Sequence, residues 1–273
     1  LAKNPTAEEP MANVVHIGMR KGNAEMVRDW AEKLLALRPF SQAALEGLAW
    51  CAFAGENYEA AARYCAKLVE LTPEHFERWY NLGVAYQKIE RLEQAEKAYS
   101  EASQLKPDHA QVWANLGVVR QGLNNAKGAR EAYENALRLK AATPEVLSNL
   151  AALMEEQGQT EEAEELYSKL LQGNGEWDDA WFRLGYLRLT RGDAPGAIEC
   201  FESCLTRKSD WLEARVNLGL AYRQTGEKEK AAAQFDAALQ INPDSVEALR
   251  GLASLSIEQQ DHQRALELQG KLI

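Results

Sequence analysis

Cys200 and Cys204 stand four residues apart. On a helix that spacing sets two sulfurs on one face, where they could share a metal ion. No histidine and no second cysteine pair lies beside them to complete a ligand set. The alternative is burial as small hydrophobes, and the same reading covers Cys65. Cys51 and Cys65 can face each other across a pair of helices, so a disulfide between them stands beside plain burial. The four histidines are scattered, and His75 and His109 read as turn residues. No stretch gathers serine, histidine and aspartate into a nucleophilic set. Gly173-Asn174-Gly175 lacks the pattern of a phosphate-cradling loop. The acidic runs Glu155-Glu156 and Glu161-Glu162 with Glu164-Glu165 read as solvated helix faces, or as a patch for a basic partner. The residue types therefore point away from catalysis. No enzyme activity, metal or cofactor is expected.

The bulk properties narrow the class further. Of 273 residues 46% are apolar, enough for a folded core. The 31 basic and 41 acidic residues leave a net charge of −10, which opposes binding to nucleic acid. No apolar run reaches the roughly 18 residues a membrane span needs. Leu1 to Thr6 has no charged-then-apolar leader pattern. Four cysteines are too few for a disulfide scaffold and fit a reducing compartment, so a cytoplasmic location is expected.

What positions these residues is a recurrence. Trp79-Tyr-Asn-Leu-Gly83 is echoed by Trp113-Ala-Asn-Leu-Gly117 and Trp181-Phe-Arg-Leu-Gly185, at spacings of 34 and twice 34. A 34-residue frame then starts at 8, 42, 76, 110, 144, 178, 212 and 246 with no insertion between units. Its seventh place reads Val14, Leu48, Leu82, Leu116, Leu150, Leu184, Leu218 and Leu252. Its eighth and twentieth places are mostly glycine or alanine. Apolar residues at places 4, 7, 8 and 11, then 20, 24 and 27, describe two amphipathic helices per unit. The small residues let those helices approach closely. Polar breaks such as Gly55-Glu-Asn and Gly192-Asp separate them, and Pro39, Pro73, Pro107 and Pro243 stop the second helix. Ala141, Gly175 and Ser209 make softer stops.

On Trp79, Leu82, Gly83, Tyr86, Ala95, Tyr99, Ala102 and Pro107, and on the matching residues from Leu218 to Pro243, the chain resembles the tetratricopeptide repeat family. The likeness runs from residue 8 to 273, with 1–7 as an N-terminal extension and the last unit incomplete. It implies an all-α, right-handed solenoid with one continuous core, whose first helices line a concave groove. The open last unit implies that the natural chain continues or that this end pairs with something.

Carried over from the family, places 2, 5, 6, 9, 12 and 13 face the groove. The sixth place holds Asn81, Asn115 and Asn149 in succession, then Arg183 and Asn217. An asparagine amide can hold a backbone N–H and C=O at once. An extended peptide advances about 3.3 Å per residue and first helices stand about 10 Å apart, so one amide meets about every third peptide residue. The other reading is that these amides are solvated or tied to neighbouring helices. A similar ladder lines the repeat region of O-linked N-acetylglucosamine transferases. Places 5, 9 and 12 carry Trp50, Phe53, Tyr80, Val84, Phe182 and Tyr186, an apolar lining that suits partner side chains unless it packs within the stack. The basic set with which some relatives clamp a terminal carboxylate is absent. The expected function is a non-catalytic scaffold binding a protein or peptide segment. The alternatives are the substrate-recognition arm of a larger enzyme, such as an O-linked glycosyltransferase, and a solenoid that self-associates through its terminal units.

Overall fold

A computed structural model of the chain describes residues 8–139, 143–173 and 176–272. The expected extension at 1–7 and the soft stops at 141 and 175 lie outside these. The described residues form sixteen α-helices and no strand. They pair as α1 (Glu8–Arg20) with α2 (Ala24–Leu37), α3 (Gln42–Ala54) with α4 (Tyr58–Leu71), α5 (Phe76–Lys88) with α6 (Leu92–Leu105), and α7 (Ala110–Gly122) with α8 (Ala126–Arg138). The second half runs α9 (Pro144–Glu156), α10 (Thr160–Gly173), α11 (Asp178–Arg191), α12 (Ala194–Arg207), α13 (Leu212–Gln224), α14 (Lys228–Ile241), α15 (Val246–Glu258) and α16 (His262–Gly270). Every first helix begins on the first place of the 34-residue frame. The chain divides into two compact units between Val146 and Leu147. In the first, each helix from α1 to α8 packs on the next; in the second, the same holds from α10 to α16.

The turn inside each repeat has one geometry. Place 15 is left-handed in all eight units: Gly22, Glu56, Glu90, Asn124, Gly158, Gly192, Gly226 and Gln260 all have positive φ. Four of these are not glycine, and a Cβ there costs strain. In the second repeat the glycine stands one place early, at Gly55, and Glu56 adopts the strained conformation at φ 53.

Six of the seven junctions between repeats fall into two kinds. Before α3, α9 and α15 the residue ahead of the helix is Ser41, Thr143 or Ser245, whose oxygen accepts from Ala44, Val146 or Ala248. A leucine (Leu45, Leu147, Leu249) is then buried at place 4. Before α5, α7 and α13 that residue is His75, His109 or Trp211, and it makes no side-chain cap. There place 4 is a donor reaching back to the carbonyl at place 32: Trp79 Nε1 to Pro73 at 2.7 Å, Trp113 Nε1 to Pro107 at 2.8 Å, Arg215 Nε to Ser209 at 2.8 Å. The hydrogen bond satisfies a carbonyl beyond the second helix's end rather than an N–H at the first helix's start.

Candidate functional site

In the first unit, α3 and α5 stand either side of an open cavity of about 470 Å³. Trp50 and Phe53 of α3 line it, and Asn81 of α5 faces it from the opposite wall. These three expected residues are brought together because places 9 and 12 of one first helix oppose place 6 of the next. The sequence reading did not include the charged rim. Arg78, half-buried with 11% side-chain exposure, donates to Glu46 at 2.8 Å, and His16 Nε2 lies 3.7 Å from the same carboxylate. Arg78 also reaches the Leu68 carbonyl at 3.5 Å, which fixes the end of α4 against α5.

The cavity exists because one ring is missing. Place 24 of the third to seventh repeats is Tyr99, Tyr133, Tyr167, Phe201 or Phe235, all buried in the stack. In the second repeat it is Cys65, also buried. In four of these five repeats the ring packs on glycine at place 8: a Cβ on Gly83 would sit 2.6 Å from Tyr99, and on Gly219 2.7 Å from Phe235, whereas the fifth repeat seats Tyr167 with Ala151. The second repeat, with its small Cys65, carries Ala49 instead. Place 12 follows suit. The hydroxyls of Tyr99 and Tyr133 donate to Gln87 and Gln121 at 2.8 and 3.0 Å, whereas Phe53 occupies that place beside Cys65.

The remaining expected residues are distributed through both units. In the first, Tyr80 stacks on Phe76 with ring centroids 5.9 Å apart and touches Tyr99 and His109, and Val84 packs partly buried beside it. Asn115 donates to the Tyr99 hydroxyl at 3.2 Å and accepts from Gln111 at 2.9 Å, so its amide is engaged within the chain. Asn81 is exposed. In the second unit, Asn149 is half-buried, and Asn217 donates to the Glu213 carbonyl at 2.9 Å. Phe182 stacks on Trp211 at 4.8 Å and meets Phe201 edge-on. Tyr186 is 45% exposed. Arg183 pairs with Glu155 at 3.1 Å.

The chemistry-bearing residues are spent on the fold. All four cysteines are free and buried, so Cys51 and Cys65 form no disulfide. Cys51 and Cys204 donate to the carbonyls of Ala24 and Asp178. Burial pushes the Cys65 and Cys204 thiols up to about 12 and Cys200 to about 11, so they stay protonated. Glu164, in one acidic run, is held by Arg188 and Arg191 at 3.2 and 2.9 Å. Among the described residues no cluster of His, Cys, Asp and Glu is placed to hold a metal ion. No helix there is long and apolar enough to cross a membrane.

This architecture has known counterparts. Residues 12–175 match the family model of the cilia and flagella-associated protein 70 C-terminal domain, more than half of the chain. Residues 155–210, 182–246 and 216–271 match the tetratricopeptide repeat model. The chain belongs to the tetratricopeptide repeat family. No curated protein matches it. Among solved structures it is similar to YrrB, a repeat protein described as having an unusual peptide-binding site. Identity is 24%, over 70% of this chain and 98% of that one, with a TM-score of 0.64. A repeat protein from Cytophaga hutchinsonii is 16% identical over 88% of this chain and 99% of that one, with a TM-score of 0.72. A Naa15/Naa10 structure bound to HypK-THB is 20% identical over 91% of this chain but only 39% of that one, with a TM-score of 0.58. At these identities the likeness shows the repeat fold.

Proposed function

We propose that the chain is a non-catalytic interaction scaffold that holds an extended segment of another protein across the first-helix face of its N-terminal unit. The observation that carries this reading is the cavity between α3 and α5. It opens to solvent, and its walls combine apolar Trp50 and Phe53 with the exposed amide of Asn81. The reading also accords with the peptide-binding site named for YrrB.

Magnitudes divide the labour. A net hydrogen bond is worth about 0.5–1.5 kcal/mol, while ordering a peptide residue costs about 1–2 kcal/mol. Amides alone therefore break even, and with Asn115 and Asn217 engaged internally the ladder is shorter than its spacing suggests. A buried apolar side chain adds about 1.5–3 kcal/mol, so affinity comes from the cavity and Asn81 sets register.

The test is selection from a displayed library of random twelve-residue peptides, followed by amide and indole NMR mapping of a selected peptide. Shifts centred on Trp50, Phe53 and Asn81 are the expected result. Failure to select any peptide, or shifts confined to other helices, would refute the reading.

A further inference from the structure

We propose that the α3–α5 cavity is a socket for an aromatic side chain, receiving the ring of a tyrosine or phenylalanine that a partner polypeptide presents next to a basic residue. This rests on the segment-binding reading above and names what that segment must carry.

The chain itself shows what fits. Tyr99 touches Gly83, Gln87, Asn115 and Tyr80. Thirty-four residues earlier the same places are Ala49, Phe53, Asn81 and Glu46, and all four line the cavity, with Cys65 at its base where Tyr99 would be rooted. The surroundings of a buried ring are present and the ring is not. The first repeat also lacks a ring, having Ala31 at place 24, but there the gap is closed. Gly47 lets α3 come against α1, and a Cβ at that glycine would lie 2.6 Å from Val15 and 3.1 Å from Val27. Between α3 and α5 place 6 is Asn81 rather than glycine, and the space stays open.

The polar groups select further. Asn115 donates to the hydroxyl of Tyr99. Asn81 holds the equivalent place and offers the same donor to an incoming tyrosine. Arg78 is committed to Glu46, Gln42 and the Leu68 carbonyl, and among the described residues no ion pair is seen for Glu77, an exposed carboxylate on the rim of a chain carrying −10 overall. A lysine or arginine beside the ring complements that rim, and an acidic neighbour is repelled.

Two linked measurements test this on the whole chain. The first titrates the peptide acetyl-Gly-Ser-Lys-Tyr-Lys-Ser-Gly-amide, following the Trp50 indole by NMR, beside versions with phenylalanine, leucine or alanine for tyrosine and with aspartate for both lysines. The ring peptides are expected to bind at least about tenfold tighter than the alanine peptide, as burial of a ring implies, and aspartate is expected to weaken binding. The second combines Ala49→Gly with Cys65→Tyr, reproducing the Gly83–Tyr99 pair so that the chain fills its own socket. A melting temperature no lower than the parent's, with at least about tenfold weaker binding of the tyrosine peptide, is expected. Equal binding of the tyrosine and alanine peptides overturns the socket, and so does undiminished binding by the folded double variant. The peptide series is decisive even where the double variant does not fold. If library-selected segments map to α3 and α5 without enrichment in tyrosine or phenylalanine, the socket fails and segment binding survives. Concentration-dependent shifts at Trp50 without peptide would instead identify a second copy of the chain as the occupant and overturn the partner assignment.

Discussion

At the scale of single residues the repeats are governed by a volume exchange between places 8 and 24. In the third, fourth, sixth and seventh repeats a ring at 24 packs directly on glycine at 8, while the fifth repeat accommodates Tyr167 with Ala151. Gly83→Ala forces its new Cβ against Tyr99, and overpacking of this kind costs about 1–3 kcal/mol, read as a lower urea midpoint. Combined with Tyr99→Cys, which copies the Ala49–Cys65 pair, the clash is relieved and a second cavity is expected to open. The buried thiols make a separate prediction. Burial raises Cys65 and Cys204 from 9.0 to about 12 and Cys200 to about 11. The folded chain thus keeps protons that the unfolded chain releases. That part of the stability is whole below pH 9, declines as pH rises beyond it, and is gone near the folded values. Urea midpoints at about pH 8 and about pH 10.5 should differ less in a variant with Cys65, Cys200 and Cys204 all changed to alanine.

At the scale of helices the same 34-residue frame is satisfied by different local solutions. The left-handed residue at place 15 is glycine in four repeats and glutamate, asparagine or glutamine in the others. Glu90→Gly is therefore expected to stabilise the chain by up to about 1 kcal/mol, provided strain relief exceeds the added freedom of the unfolded chain. A rise in melting temperature checks it. The two junction types respond to different substitutions. Ser41→Ala removes a cap worth about 0.5–2 kcal/mol. Trp79→Phe keeps the ring and loses the hydrogen bond to Pro73, worth about 0.5–1.5 kcal/mol. The reverse experiment, His75→Ser, supplies a cap to a junction that has none and should offset part of the Trp79→Phe loss in a double-mutant cycle.

At the scale of the whole molecule, stability is a sum over neighbouring repeats rather than a property of one central core. The contact pattern gathers the helices into two units, one ending at Val146 and the other beginning at Leu147. Damage in one stack should stay mostly within it. Hydrogen exchange of Gly83→Ala is predicted to accelerate most in α5 and α6 and their neighbours in the first unit, with α12 to α14 changed least. Uniform acceleration across all sixteen helices would show instead that the chain opens as one cooperative body.

Period, helix pairing and helix starts were legible in the sequence because they depend on local pattern. A 34-residue recurrence of small and apolar places admits one kind of helical hairpin, and the eight first helices begin where that frame begins. That Trp50, Phe53 and Asn81 belong to the groove-facing places was implied by the family resemblance, whereas that they border one cavity is a fact of the tertiary structure. What the pattern could not supply was the use made of each side chain. Tyr80 and Phe182 read as lining that either meets a partner or packs within the stack, and each lies against a ring of the following junction. Asn115 read equally as a peptide clamp or as an amide tied within the stack, and it serves a tyrosine one repeat back. Such outcomes turn on whether the facing side chain is large or small, and that is decided between repeats. For the same reason a single cysteine, unremarkable in sequence, leaves the opening between α3 and α5: its effect is the space where its neighbours expect a ring.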